Sequence, residues 1–154
     1  MVVTGDRDAL KRAVANLLEN AVRLAPAGSR IRLATGSEDD QAWIAVADEG
    51  PGIAPEDQPH VFDRFWRADK ARSRADGGTG LGLAIVRQIA ESHGGQVRLQ
   101  SKVGVGSSFV VWLPVAAGSS GEPAPGPPAT PALTPVATPA ERARTRPSFG
   151  PPDE

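Results

Sequence analysis

The chain has 154 residues, a formal net charge of −1 and no cysteine. That length suits one domain with a real hydrophobic core. The near-zero charge excludes a broad attraction to nucleic acid or anionic lipid, and the missing thiols exclude disulfides and cysteine metal sites.

Nothing in the chain reads as a membrane span. The longest apolar run, Phe109 to Ala117, is interrupted by Pro114 and is far too short. No signal-peptide pattern precedes the first charged residues. We therefore expect a soluble chain, cytoplasmic or tethered to the membrane through a partner or a missing N-terminal region, with no direct membrane insertion and no nucleic-acid partner.

In chain order, Val2 to Gly5 reads as a short strand. Asp6 or Asp8 can cap a helix running to about Ala25, where Pro26 and Gly28 stop it. Its stripe of Leu10, Ala13, Val14, Leu17, Leu18, Ala21 and Leu24 faces a core. Ile31 to Thr35 and Ala42 to Ala47 form a hairpin around the polar turn SEDDQ. An irregular stretch, 48–79, contains a short helix around Pro59 to Phe65. Leu81 to Ser92 is a second long helix, ended by Gly94 and Gly95. Gln96 to Ser101 and Ser107 to Leu113 close the domain as strands. The β-α-β-β-loop-α-β-β order predicts a mixed sheet with helices on one face. Beyond Ala117 lie ten of the fifteen prolines and few large apolar residues. Residues 118–154 therefore read as a disordered tail outside a 1–117 domain.

Three segments carry chemistry. In NLLENAVR, Asn16, Asn20 and Arg23 stand at i, i+4 and i+7, beside the apolar stripe. Two partly buried amides each need partners, and an unsatisfied one costs ~1–3 kcal/mol. Their oxygens suit Mg²⁺, and Arg23 suits phosphate. In DEGPGI, Asp48 ends a strand where a carboxylate can accept from an exocyclic amine, and Gly50 and Gly52 allow close approach of a flat ligand. In GGTGLGL, the glycines enter a helix whose N-terminus is a ready anion site, or they form a hinge. Between them, VFDRFWR places Phe62 and Phe65 on one face of a short helix. The basic stretch after it, ADKARSRADGG, reads as a lid.

Taken in order, these segments resemble the catalytic and ATP-binding domain of sensor histidine kinases, in the superfamily of gyrase, MutL and Hsp90-type chaperones. NLLENAVR looks like the N box, DEGPGI the G1 box, VFDRFWR the F box and GGTGLGLAIV the G2 box. The resemblance covers about residues 2–115. It implies an α+β fold, a two-layer α/β sandwich of the Bergerat type. About three helices would lie on one face of a mixed sheet, with a mobile ATP lid.

The resemblance also implies roles. Asn20, assisted by Asn16, would hold Mg²⁺, and Arg23 would contact phosphates. Asp48 would accept from adenine, with Gly50, Gly52 and Ile53 around the base and Ser107 nearby. Phe65, Gly78, Thr79, Gly80, Leu81 and Gly82 would shape the lid ends and the phosphate-facing helix start. Arg67, and Arg72 or Arg74, would neutralise the outer phosphates, with Arg67 the candidate transition-state contact.

ATP-hydrolysing relatives carry a Glu base one turn before the metal-binding Asn, where this chain has Asn16. Leu24 replaces an aromatic or polar residue common in the family, which is expected to weaken nucleotide affinity. His60 and His93 are the two histidines, and neither sits in an acceptor motif. The expectation is an ATP- and Mg²⁺-binding kinase part, inactive alone. It would donate phosphate to a His on a separate dimerisation/phosphoacceptor domain, with a response regulator downstream. A nucleotide-sensing module without transfer and an anti-sigma-type serine kinase are the alternatives.

Overall fold

Asp6 opens the first helix. Its Oδ1 accepts the backbone N–H groups of Asp8 (2.9 Å) and Ala9 (3.1 Å), satisfying two of the donors that every helix start leaves unpaired. Helix α1 then spans Arg7–Leu24. It stops because Pro26 pushes the residue before it out of helical geometry, and Ala25 is extended at φ −69°, ψ 134°.

The computed structural model describes residues 3–67 and 79–115. After α1 come β1 (Ile31–Glu38), β2 (Gln41–Asp48), a 3₁₀ turn (Gln58–His60), α2 (Gly82–Ser92), β3 (Gln96–Lys102) and β4 (Gly106–Pro114). The sheet order is β1-β2-β4-β3. The three ladders among the described residues are antiparallel. The expected first strand is reduced to one antiparallel bridge, Val3 to Val115. The architecture is the expected two-layer α+β sandwich. The hairpin turn is tighter than the SEDDQ reading, because Asp39 takes a left-handed φ of 51° that Asp tolerates.

Both helices lie on one face of the sheet. Ala13, Leu17 and Ala21 of α1 and Val86, Ile89 and Ala90 of α2 pack on Val46, Phe109, Val111 and Leu113. Burying a side chain such as Leu17 or Phe109 contributes about 1.5–3 kcal/mol. Leu24, expected in the stripe, is 37 % exposed. The apolar row ends at Ala21, one turn before the helix does.

The expected helix around Pro59 to Phe65 is instead the 3₁₀ turn followed by single turns. These are closed by Asp63 N–H to His60 O and Trp66 N–H to Asp63 O. Helical spacing therefore does not hold for the two phenylalanines. Phe62 packs edge-on against Phe109 (centroids 6.1 Å, 89°), whereas Phe65 is turned out by its φ of 64° and is 71 % exposed.

His93 joins the two helices. Its Nδ1–H donates to Ile89 O (2.7 Å), so Nε2 is free to accept the backbone N–H of Asp6 (2.9 Å). The imidazole thus completes the α1 cap from the end of α2. His93→Ala removes this exposed hydrogen bond and should cost roughly 0.5–1.5 kcal/mol in urea unfolding. An unchanged midpoint would show that the bridge carries no stability.

Candidate nucleotide site

α1 begins beside the end of α2, passes the start of α2 near its middle and ends at the Asp48 loop. Near its middle, Asn16 faces the first residue of α2: a Cβ added to Gly82 would sit 3.9 Å from the Asn16 side chain. At its end, the Leu24 carbonyl oxygen lies 3.1 Å from where a Gly50 Cβ would be. Asn16, Asn20 and Arg23 span this gap, about 11 Å along the axis at 1.5 Å per residue.

The amides are short of partners. Nδ2 of Asn16 and Nδ2 of Asn20 are both buried with no hydrogen-bond partner. Asn20 Oδ1 accepts from Arg23 Nη2 at 2.9 Å, which orients the Asn20 amide. α2 adds further donors, because Leu81 at its N-cap makes no side-chain cap bond and the first-turn N–H groups stay uncapped. The result is a donor-rich end suited to an anion.

The other end holds a buried acid. Asp48, at the end of β2, is 2 % exposed. Oδ1 accepts from Gly50 N–H (2.8 Å), while Oδ2 is buried without a partner. Burial raises the carboxyl pKa above its ordinary value, against the lowering effect of the Gly50 and Ser107 backbone N–H groups. An unpaired carboxylate oxygen in a buried pocket is an acceptor waiting for a donor.

The DEGPGI loop is tied to the β3–β4 hairpin. Gly104 N–H donates to Pro51 O (2.8 Å) and Ile53 N–H to Ser101 Oγ (2.8 Å). Gln58 Nε2 donates to Ile53 O (3.0 Å) and Ser101 O (3.2 Å). Ser107, opposite Asp48 in the ladder, shares a hydroxyl bond with Ser101 (2.9 Å). Gly52 is explained by this clamp rather than by ligand approach. At φ 72° its missing Cβ makes room for the Lys102 backbone. Ile53 packs at the edge of the core. Gln58 and Ser101 went unread in the sequence. Ser101 was within reach, since the hairpin register pairs it with Ser107.

The lid region has one described feature. Phe65 N–H donates to Gly80 O at 3.0 Å, and a Gly80 Cβ would lie 3.0 Å from the Phe65 backbone. This staple brings together the two chain ends that flank the lid. Thr79 is exposed, Leu81 is half-buried at the α2 cap, and Arg67 is half-buried. The lid itself, with Arg72, Arg74 and Gly78, lies outside the described residues. Glu19 points to solvent, so no carboxylate on α1 takes the place that Asn16 holds. Among the described residues no cluster of His, Cys, Asp and Glu forms a metal site.

Comparison with known proteins agrees with this geometry. Residues 5–117 match the family described as histidine kinase-, DNA gyrase B-, and HSP90-like ATPase. The chain is 52 % identical over 112 residues to the sensor-like histidine kinase SenX3 of Mycobacterium tuberculosis, covering 73 % of this chain and 27 % of that protein. It thus spans about a quarter of such a relative's length. It resembles the solved mycobacterial sensor histidine kinase MprB (37 % identity, TM-score 0.64, 73 % of this chain and 74 % of that one). It also resembles full-length ShkA in complex with AMPPNP (31 % identity, TM-score 0.65, 74 % and 23 %). The chain belongs to the histidine kinase-, DNA gyrase B-, and HSP90-like ATPase family, and within it to the ATP-binding catalytic domains of two-component sensor histidine kinases.

Proposed function

We propose that this domain binds Mg-ATP between α1, the Asp48 loop and the start of α2. It then donates the γ-phosphate to a histidine on a dimerisation/phosphoacceptor domain, from which a response regulator is phosphorylated. The reading rests on one observation: Asn16 Nδ2, Asn20 Nδ2 and Asp48 Oδ2 are buried atoms without a hydrogen-bond partner, donors toward one end and an acceptor toward the other. A triphosphate satisfies donors, and the adenine exocyclic amine satisfies a carboxylate. Guanine would present a carbonyl to that same oxygen.

The residues fit Mg²⁺ with one rearrangement. Asn20, helped by Asn16, would hold it through amide oxygen, the ion completing its shell with phosphate and water. Asn20 Oδ1 accepts from Arg23 in this structure, so the guanidinium would have to release it for Asn20 to hold the ion, and would then be available to phosphate. When bound, the ion supplies charge neutralisation at the phosphates. The protein's own part is positioning: α2 N–H groups, Arg23 and the lid arginines orient the triphosphate, and Asp48 fixes the base. Asn16 offers no general base to activate water. The imidazole of the acceptor is itself the nucleophile, so none is needed. In this chain His93 is committed to the helix cap and His60 pairs with Asp63 at 3.1 Å, so the acceptor lies on another domain. Such a domain works at the cytoplasmic side of a sensor system.

Mixing the protein with γ-labelled ATP and an acceptor hairpin should give acid-labile phosphohistidine and little ATP hydrolysis alone. Acid-stable phosphate on the partner would instead indicate a serine kinase, and binding without transfer a sensing module. Asn20→Ala should lose Mg²⁺-dependent ATP affinity at least tenfold in calorimetry, a loss of about 1.4 kcal/mol.

Asp48→Asn separates affinity from stability. Losing the acceptor should weaken ATP about 10- to 100-fold, the worth of a charged hydrogen bond. The nucleotide-free protein should become more stable at neutral pH, because a buried charge is gone. The sign follows from linkage. With its folded pKa raised, Asp48 makes stability fall as pH climbs from the ordinary value of 3.8 through the raised one. That fall should vanish in Asp48→Asn, and an identical pH profile in both proteins would refute the buried-charge account.

A further inference from the structure

At one end of the sheet three polar side chains stand in a row. Asp48 of β2 pairs with Ser107 of β4, and Ser107 pairs with Ser101 of β3. Directly paired residues point to the same face, with Cβ atoms about 4.5–5.5 Å apart. Alternation along each strand puts all three on the face of Val46, Phe109 and Leu99, which the helices cover further along. The row therefore reaches from the edge strand β3 to the unpartnered Oδ2 of Asp48.

Ser101 Oγ has three partners, and its single proton fixes the direction of every bond. The Gly106 carbonyl oxygen (3.0 Å) can only accept, so it takes the Ser101 hydroxyl proton. The Ile53 N–H (2.8 Å) can only donate, so it occupies one lone pair. The contact with Ser107 Oγ (2.9 Å) then has one direction left: Ser107 donates and Ser101 accepts. The Ser107 proton is thereby turned toward β3. Only lone pairs of Ser107 remain for the Asp48 side.

We propose that Ser101 is a positioning residue for base selection. By holding the Ser107 proton it makes Ser107 an acceptor beside Asp48, so that the pocket takes a 6-amino purine and rejects a 6-oxo purine. The inference rests on the nucleotide reading above and adds how the base is told apart. An exocyclic –NH2 carries two hydrogens, and two acceptors are there for them. Asp48 Oδ2 takes one, and Ser107 Oγ takes the other directly or through a water. A 6-oxo base brings a third acceptor to the same place and leaves all three without a donor. Asp48 alone does not secure this discrimination, because a Ser107 hydroxyl free to rotate can turn its proton to the oxo group. Ser101 removes that freedom without touching the ligand.

The same Ser101 oxygen fastens the DEGPGI loop through Ile53 N–H. Gln58 Nε2 supports the junction from the other side, donating to Ile53 O (3.0 Å) and Ser101 O (3.2 Å). Loop support and hydroxyl direction thus meet at one side chain, and substitutions at Ser101 and Gln58 separate them.

The test is calorimetry of the full chain with Mg-ATP and with the magnesium complex of inosine triphosphate, whose base is 6-oxo. The parent should prefer ATP. Ser101→Ala frees the Ser107 proton, and the ratio of ATP to inosine triphosphate affinity should fall about tenfold (~1.4 kcal/mol). Ser101→Thr keeps the hydroxyl and should keep the parent ratio. Gln58→Ala loosens the loop but leaves the hydroxyl in place, so both affinities should fall together at an unchanged ratio. Ser107→Ala removes the second acceptor, so the ratio should fall there too, and this variant carries the test if Ser101→Ala does not fold. A parent that binds no ATP overturns the nucleotide reading and this inference with it. A parent that binds both nucleotides alike overturns this inference alone. So does an ATP-selective parent whose ratio survives Ser101→Ala or Ser107→Ala, or falls as far in Gln58→Ala or Ser101→Thr.

Discussion

The nucleotide pocket depends on keeping a carboxylate buried at the end of β2. Asp48 carries one oxygen bonded to Gly50 and one bonded to nothing, in a site 2 % exposed. Desolvation opposes its charge, so the empty protein holds Asp48 at a cost. The surrounding structure is arranged to sustain that cost. The Asp48 loop is fastened to the β3–β4 hairpin through Pro51, Ile53, Gln58 and Ser101, and the end of α1 closes over Gly50. A loop free to relax would expose the carboxylate to water and lose the acceptor.

α1 connects this end of the pocket to the other. Its buried stripe of Ala13, Leu17 and Ala21 fixes the helix on the sheet, and that fixes where Asn16 and Asn20 point. Packing and function share one element here. Asparagine is a poor helix former, yet two stand on a helix packed against the core, with unpartnered nitrogens. Asn16 matters for what it is not. Without a carboxylate there, α1 offers no general base beside the α2 start, which is what the proposed transfer to an outside nucleophile requires.

Much of this was legible in the sequence, for identifiable reasons. The α1 and α2 periodicities and the strands around Trp43 and Val110 read correctly, because burial on one or both faces leaves a clear apolar pattern. The ordered N, G1, F and G2 segments carried the family resemblance, which the family match over residues 5–117 bears out. The helix around Pro59 to Phe65 did not survive, since successive three-residue turns and the left-handed Phe65 separate two phenylalanines that helical spacing would have joined. Gly52 was read as room for a ligand and is room for the Lys102 backbone. Gln58 and Ser101 act through contacts more than 40 residues apart, which no local pattern encodes. The two faces of the sheet also differ in a way composition hides. Both are apolar, but one is covered by helices and the other carries the Trp43–Trp112 pair.

The most direct test of the central claim watches the unpartnered groups themselves. Side-chain amide signals of Asn16 and Asn20 and the backbone amide of Gly50 can be followed by NMR as Mg²⁺ and a non-hydrolysable ATP analogue are added. The account predicts that all three shift together along one binding curve, the Asn20 signal responding to Mg²⁺ as well as to nucleotide. Nucleotide that bound while the Asn16 and Asn20 side chains stayed unmoved would contradict it.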